Sequence, residues 1–295
     1  MPTLDMMWVD AFTTQPFAGN PCAVIFDADE LSPEQMQTIA FEMGLSETAF
    51  LMQSETADFR ARYFTPAEEI PLAGHPTIAS IFALVQSGRL NLADDPVTAS
   101  LQLQAGTISV NVTPQAESPI INMTQLKPRF LSTHDPAVVM PIFGLSPDDL
   151  LPDVPIQTVS TGTPQLMIVV KDHNALRRAS VDDKAYLAYR AQSDFFSPHL
   201  FCLQGATEHG QTFARHFGTP PDTAEDPFTG SATGGMAAYL WHHGLLEQPH
   251  FIAEQGHWMN RPGMAHVEVV GPREEIQAVR VGGQAALVLR GQIII

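Results

Sequence analysis

The sequence predicts an α+β fold in two similar halves, each a curved sheet wrapped around one central helix. Three observations predict it. Two separate stretches of the chain repeat one another. Each contains a run of helical period that is apolar on nearly every face. The rest reads largely as short strand-like runs broken by turns.

The repeat pairs ARYFTPAEEIPLAGHPTIASIFALVQSGRL (Ala61–Leu90) with ARHFGTPPDTAEDPFTGSATGGMAAYLWHHGLL (Ala214–Leu246). Both open on Ala-Arg-x-Phe, and both pass through a Pro and an acidic turn to a Gly. From Gly74 and Gly230 the registers then run without a gap, matching Thr77 with Thr233, Leu84 with Leu240, Gly88 with Gly244 and Leu90 with Leu246. A second Gly follows in each copy, Gly106 and Gly256, before another strand-like run. Within the first copy, ARYFT alternates and carries aromatics, as a strand does, and PAEEIPLAG is a turn-rich loop. HPTIASIFALVQSGRL has helical spacing. Pro76 suits the first helical turn, where its missing N–H costs nothing, and Gly88 supplies the stop. Ile78 to Val85 are apolar nearly all round, and so are Met236 to Trp241, so both helices must be buried on most sides.

Outside the repeat, SPEQMQTIAFEMG (Ser32–Gly44) has an N-cap Ser, a Pro at the first helical position and Glu34 in the first turn, so it predicts an amphipathic helix. SVDDKAYLAYRAQ predicts another, and Arg177-Arg178 reads as a helix-end pair. NPCAVIFDA, QTVSTGTPQLMIVVKD, HVEVVG and AALVLRGQIII read as strands. The Pro-, Ser- and Thr-rich segment from Pro114 to Pro136 is the candidate linker. The apolar alternation of Ala278–Ile295 needs a sheet to join, since an exposed edge ending in three Ile would invite aggregation.

Composition narrows the function classes. The chain has 295 residues, 44% of them hydrophobic, which is enough for one large or two ordinary domains. Fifteen basic and 32 acidic residues give a net charge of −17 without a basic cluster, so neither nucleic acid nor an anionic membrane is an expected partner. No apolar run approaches the roughly 18 residues of a membrane span. The start, MPTLDMMWVDAF, lacks the basic-then-apolar order of a leader, and a cytoplasmic address is expected. Cys22 and Cys202 form no CxxC and no disulfide framework. His242-His243, His250, His257 and His266 are the densest histidine group, but none shows a ligand spacing, and no metal site is expected.

The chemistry is expected at the two helix mouths. A buried helix leaves its first N–H groups without partners, and its dipole adds roughly half a positive charge there. Gly74-His75 and Gly230-Ser231 stand at such mouths, with Asp226 just upstream in EDPFTGSATGG (Glu225–Gly235). Local pattern alone favours an ordinary cap and turn here. The shared Gly-x-x-Thr of both copies points instead to a pair of seats for a small anion.

Five stretches carry a resemblance over nearly the whole chain: DAFTTQPFAGNPCAVI (Asp10–Ile25), LSETAF (Leu45–Phe50), RYFTPAEEIPLAGHPTIA (Arg62–Ala79), EDPFTGSAT (Glu225–Thr233) and EQGHWMNRPG (Glu254–Gly263). In this order they resemble the PhzF-like isomerase family of phenazine biosynthesis. The resemblance implies a diaminopimelate epimerase-like fold: two similar domains, each a mixed barrel-like sheet around a central helix, with the active site in the cleft between them. The first is expected to comprise residues 1–115 plus 278–295 and to carry Glu47 and His75. The second is expected to comprise residues 120–277 and to carry Asp226 and Ser231. The last strand is expected to return to the first domain. Glu47 matches the family's acid/base, His75 its Gly-His motif, and Asp226 and Ser231 its Glu-Asp-Pro-x-Thr-Gly-Ser motif. Gly74, Gly230 and Thr77 belong to the substrate-holding mouths, and Asn20 and Gln255-Gly256 match further family positions, for loop geometry more than chemistry. By local pattern alone Glu47 is a surface residue near a helix end and His75 a capping or packing histidine. The diaminopimelate epimerase relatives use two cysteines at the mouths; neither mouth here holds one, which argues against a two-thiol mechanism. Pro76 stands where family members often carry Ala.

The expected function is a cofactor-free isomerase of a small carboxylate, with Glu47 taking a proton from one carbon and returning it to another, and with His75 and Asp226 assisting. A carboxyl can act as base and then acid only if its pKa lies near the working pH, and partial burial raises a carboxyl in that direction. Two rivals stay open: an epimerase of an amino or hydroxy acid, which needs a base on each face of the carbon, and a non-catalytic small-anion binder. A homodimer is expected.

Overall fold

In the computed structural model, which describes residues 3–218 and 224–295, the repeated stretches take the same path. The chain divides into two units. Unit 1 holds the chain to Thr124 together with Asn260–Gly263 and Gly282–Ile295; unit 2 holds Gln125–Met259 and Met264–Val281. Ala278–Val281 thus groups with the second unit and Asn260–Gly263 with the first. The Pro and acidic turn of the second copy, residues 219–223, lie outside the described residues.

In unit 1, β1 (Thr3–Ala11) runs antiparallel to β2 (Asn20–Ile25), and α1 (Pro33–Met43) leads to β3 (Glu47–Met52), which lies parallel to β2. Next, β4 (Phe59–Phe64) is antiparallel to β3 and to the two-residue β5 (Glu69–Ile70), which interrupts the loop expected there. Then come α2 (Gly74–Gln86), β6 (Val97–Leu103) parallel to β4, and the antiparallel β7 (Gly106–Thr113) and β8 (Ile120–Gln125).

Unit 2 repeats this order. After β9 (Arg129–His134) and α3 (Pro136–Ile142), β10 (Ile156–Ser160) and β11 (Pro164–Val169) form an antiparallel pair. Two short helices, α4 (His173–Arg178) and α5 (Asp183–Arg190), lead to β12 (Ser197–Cys202), parallel to β11. β13 (Thr212–Phe217) is antiparallel to β12 and to β14 (Glu225–Asp226); α6 (Gly230–His242) follows, then β15 (His250–Gln255) parallel to β13. The chain ends with β16 (Gly263–Val270), β17 (Ala278–Gly283) and β18 (Ala285–Ile294).

The likeness of the units extends to side chains. Arg62 clasps Glu69 and Arg215 clasps Glu225, each through two hydrogen bonds of 2.7–2.9 Å. The Thr77 and Thr233 hydroxyls donate to the carbonyls of Ala73 and Thr229, at 2.8 and 3.0 Å. Both central helices are 13 residues long, and ten residues of each are buried. Burying each Ile, Leu or Phe there contributes about 1.5–3 kcal/mol, so the sheet around each helix is its main support. Strand alternation then fixes where Glu47 can point. Phe50 and Phe64 meet edge to face at 5.4 Å in the core beneath α1, with Met36 and Ile39. Glu47 and Ala49, one step out of phase with Phe50, face the other way, toward α2.

Two expectations are corrected. The segment Pro114–Pro136 is no plain linker: it contains β8 and β9, because IINMTQ and RFLSTH alternate well enough to pair, and its last residue opens α3. QTVSTGTPQLMIVVKD is not one strand but the hairpin of β10 and β11, turning at Thr161–Thr163, where Gly162 has φ 149°. Among the described residues no helix is long and apolar enough to cross a membrane.

β18 pairs with β1 along its whole length, from Thr3↔Ile294 to Ala11↔Ala285. Deleting Gly282–Ile295 should therefore leave β1 without this partner and give insoluble protein or one lacking a cooperative thermal transition. A soluble truncation melting at the wild-type temperature would contradict this role of the strand.

Candidate active site

The open helix mouths are the first feature of the site. Four helices are capped by their own sequence: Ser32, Asp135, Asp172 and Asp182 each accept a backbone N–H in the first turn of α1, α3, α4 and α5. The N-caps of α2 and α6, Ala73 and Thr229, make no such side-chain bond. The two most buried helices are thus the ones whose first-turn N–H groups are left for other acceptors.

At the α2 mouth, unit 1 brings together Asn20, Glu47, Gly74 and His75. Glu47 is the first residue of β3, set just after the turn at Gly44–Ser46, rather than at a helix end. Its side chain is 19% exposed, and its Oε2 lies 3.1 Å from His75 Nε2, close enough for a hydrogen bond but without the alignment of one. His75 is buried. The Asn20 amide bridges the group: its Oδ1 accepts from Ser46 Oγ at 3.2 Å, which turns Nδ2 toward His75 Nδ1 at 3.1 Å. An amide nitrogen can only donate, so this orientation of Asn20 calls for the tautomer with the proton on Nε2, the atom facing Glu47. Burial pushes His75 down to about 3, against a smaller opposing pull from the Pro21 carbonyl. The His75–Glu47 contact is therefore one between a neutral imidazole and a carboxyl group, not an ion pair.

Thr77 does not face the mouth. It is fully buried, its hydroxyl donating to Ala73 O and meeting Tyr63 Oη at 2.9 Å, so it ties the first turn of α2 to β4. Cys22, which sequence reasoning set apart from the site, is the register partner of Glu47 across β2 and β3. Its thiol is buried, and burial together with the neighbouring Glu47 pushes it well above the ordinary range, so it stays protonated. Cys202 is likewise buried and raised to about 11. Neither thiol is poised as a thiolate base.

At the α6 mouth, unit 2 brings together Asp226, Thr229, Gly230 and Ser231. Asp226 accepts a very short hydrogen bond from the Thr229 hydroxyl. Gln255, at the end of β15, closes the turn, donating to Asp226 O at 2.7 Å and accepting from Thr229 N at 3.2 Å. Gly230 O accepts from Gln125 at 2.8 Å, and Ser231 is half-buried. Gly234 also belongs to this packing: a Cβ there would stand 1.8 Å from Gln125 Oε1.

Because the units share one topology, each site position has an image in the other. The pairs Cys22↔Glu47 and Ala49↔Tyr63 correspond to Gln165↔Ser197 and His199↔His216. The image of Glu47 is thus Ser197. Its hydroxyl donates to Gln165 Oε1 at 2.6 Å and lies 2.9 Å from His216 Nε2, while His216 Nδ1 lies 3.3 Å from His199 Nδ1. Burial pushes His216 to about 3 and His199 well below its ordinary value, so this network is uncharged. A wide depression in unit 2, about 720 Å³ and lined by His173, Leu203–Glu208, Gly210, Gln211 and Leu245–Glu247, touches none of the expected site residues.

The chain is similar to proteins of one named family. The family profile described as "Phenazine biosynthesis-like protein" (PhzC-PhzF) matches residues 9–291. The "Uncharacterized isomerase YfhB" of Bacillus subtilis is 34% identical over 91% of this chain and 92% of its own. The "Trans-2,3-dihydro-3-hydroxyanthranilate isomerase" of Pseudomonas fluorescens is 33% identical, over 97% and 98%. The crystal structure of the Bacillus anthracis phenazine biosynthesis protein of the PhzF family superposes with a TM-score of 0.89 at 31% identity, covering all of both chains.

A buried neutral histidine has a measurable consequence. The folded pKa of His75, about 3, lies below its ordinary 6.5, so its contribution to stability is full above 6.5 and is lost as the pH falls toward 3. The His75 ring 15N signals should stay those of a neutral Nε2–H imidazole between about pH 5 and 8, the range in which an ordinary histidine titrates. A His75 signal titrating near neutrality would contradict the assignment.

Proposed function

Because the chain belongs to the phenazine biosynthesis-like (PhzC-PhzF) family and is an isomerase, we propose that it moves a proton between two carbons of a small carboxylate with its own side chains, Glu47 being the single carrier. The observation that carries this reading is the pairing of a partly exposed carboxyl, Glu47, with a buried neutral histidine at 3.1 Å, beside an uncapped helix end. Glu47 takes the proton from a carbon activated by a neighbouring carboxylate or unsaturation, and the electron pair left behind is delocalised into that system. The protonated Glu47 then returns the proton to another carbon of the same face, so reactant and product differ only in where hydrogen and double bond lie. His75 Nε2–H supports the charge of the carboxylate before and after transfer, and the Asn20 amide holds the ring in the tautomer that can do so.

The remaining roles follow from the uncapped first turns. The N–H groups at Gly74 and His75 suit the negative charge that develops on the substrate. We assign the same kind of work to Gly230, Ser231 and Asp226, where the sequence motif and the uncapped α6 support it. Thr77 is assigned to holding the α2 mouth in shape. The substrate class is a small carboxylate. The Pseudomonas fluorescens relative is named for one cyclic example, trans-2,3-dihydro-3-hydroxyanthranilate, which makes that compound the first to try as a substrate.

An epimerase would need a second base. The image of Glu47 in unit 2 is a serine whose hydroxyl is committed to Gln165, in a neutral network, and this favours one carrier over two. The Glu47→Gln variant should fold and bind ligand as the wild type does while kcat falls by about 10²–10⁴-fold, the usual contribution of a general acid/base. Retention of more than about a tenth of the wild-type kcat would remove Glu47 from the role. Ligand binding without turnover in the wild type would support a non-catalytic binder.

A further inference from the structure

One half-buried charge pair of unit 1 lies outside the roles assigned so far. Asp10, at the end of β1, is 1% exposed, and Arg261 reaches it from the segment Asn260–Gly263. Arg261 Nη2 donates to Asp10 Oδ1 at 2.6 Å and to Ala18 O at 2.9 Å, and its Nε donates to Gly19 O at 2.8 Å. The other carboxylate oxygen of Asp10 accepts from Phe17 N at 2.6 Å, and Gly19 N donates to Pro262 O at 3.0 Å. Every residue from Phe17 to Gly19 is thus tied by its backbone to this pair or to the residue beside it. Two of them have left-handed backbones: Phe17 at φ 70° and Gly19 at φ 57°. A Cβ on Gly19 would stand 2.1 Å from Ala11 O, so the turn requires glycine.

The next residue is Asn20. Its amide bridges His75 and Ser46, and Ser46 is the neighbour of Glu47. A short, over-determined turn therefore ends at the residue that sets the histidine. We propose that Arg261 is a positioning residue of the reaction: by holding Phe17–Gly19 against Asp10 it fixes the Asn20 amide, and through it the tautomer and aim of His75 toward Glu47. The proposal rests on the reading of Glu47 as the proton carrier. The arrangement needs arginine in particular. Three acceptors in different directions take hydrogen bonds from one planar guanidinium, and a lysine ammonium cannot span them while still neutralising Asp10.

The Arg261→Lys variant keeps the charge beside Asp10 and tests the aim rather than the fold. It should show kcat reduced by about tenfold or more with KM within about threefold, since a small misplacement is felt mainly in the transition state. In an Asn20→Ala background the same substitution should change kcat by less than about twofold, because residues acting through one another do not add. The His75 15N signals should shift from a single Nε2–H tautomer toward a mixture in Arg261→Lys, a readout that needs no turnover and so stands apart from any failure of the Glu47 assignment. If Arg261→Lys does not fold, Asp10→Asn with Arg261→Gln removes both charges together and takes the same tests. Wild-type kcat and an unchanged His75 signal, or an equal loss with and without Asn20, would make Arg261 a purely structural residue and overturn the proposal.

Discussion

The arrangement depends on one constraint: two helices, Gly74–Gln86 and Gly230–His242, are buried on nearly every face, and only their ends can meet polar partners. A helix end in such a place still has orphan N–H groups. The outer helices meet that need with their own caps; the two central ones do not. What stands at the α2 end must then be polar, buried and uncharged. His75 satisfies this as a neutral imidazole with one donor and one acceptor. Its acceptor is used by Asn20, and its donor faces Glu47. The Glu47 carboxyl is therefore met from behind by the same residue that stands at the helix end.

Duplication explains both what the units share and where they part. The arginine clasps, the threonines one turn into the central helices, and the parallel and antiparallel pairings occur in both. At the positions that could carry protons the copies differ: carboxylate against serine, cysteine against glutamine, tyrosine against histidine. Unit 2 joins Gln165, Ser197, His216 and His199 through uncharged polar contacts, where unit 1 has the Glu47 carboxyl at the matching position. A second copy of a fold need not carry a second copy of its chemistry.

Much of this was legible in the sequence, and the reasons are local. The N-cap Ser32, the helix stop at Gly88 and the all-round apolar runs each predict structure from neighbouring residues alone; the first is a full capping box and Gly88 has φ 73°. The repeat is visible because Gly, Thr and Leu recur in one gapless register from Gly74 to Leu90 and from Gly230 to Leu246. Glu47 is singled out by its motif, not its pattern: nothing local separates a strand-initial carboxyl facing a buried helix from a surface one. The inward turn of Thr77, the register of Cys22 against Glu47 and the bond between Arg261 and Asp10 could not be read, because each depends on pairing between distant segments. Arg261 and Asp10 lie 251 positions apart. The strands within Pro114–Pro136 are hidden from a sequence reading because Pro114, Pro119, Pro128 and Pro136 outweigh the alternation between them.

The central claim, a single proton carrier at Glu47, is tested most directly by turnover in D2O with analysis of the deuterium at the carbon that gains hydrogen. A single carrier returns part of the proton it removed, so the account predicts incomplete deuteration at a carbon other than the one deprotonated. Complete deuteration with inversion at the same carbon would mean that two bases act on opposite faces, and would contradict the account.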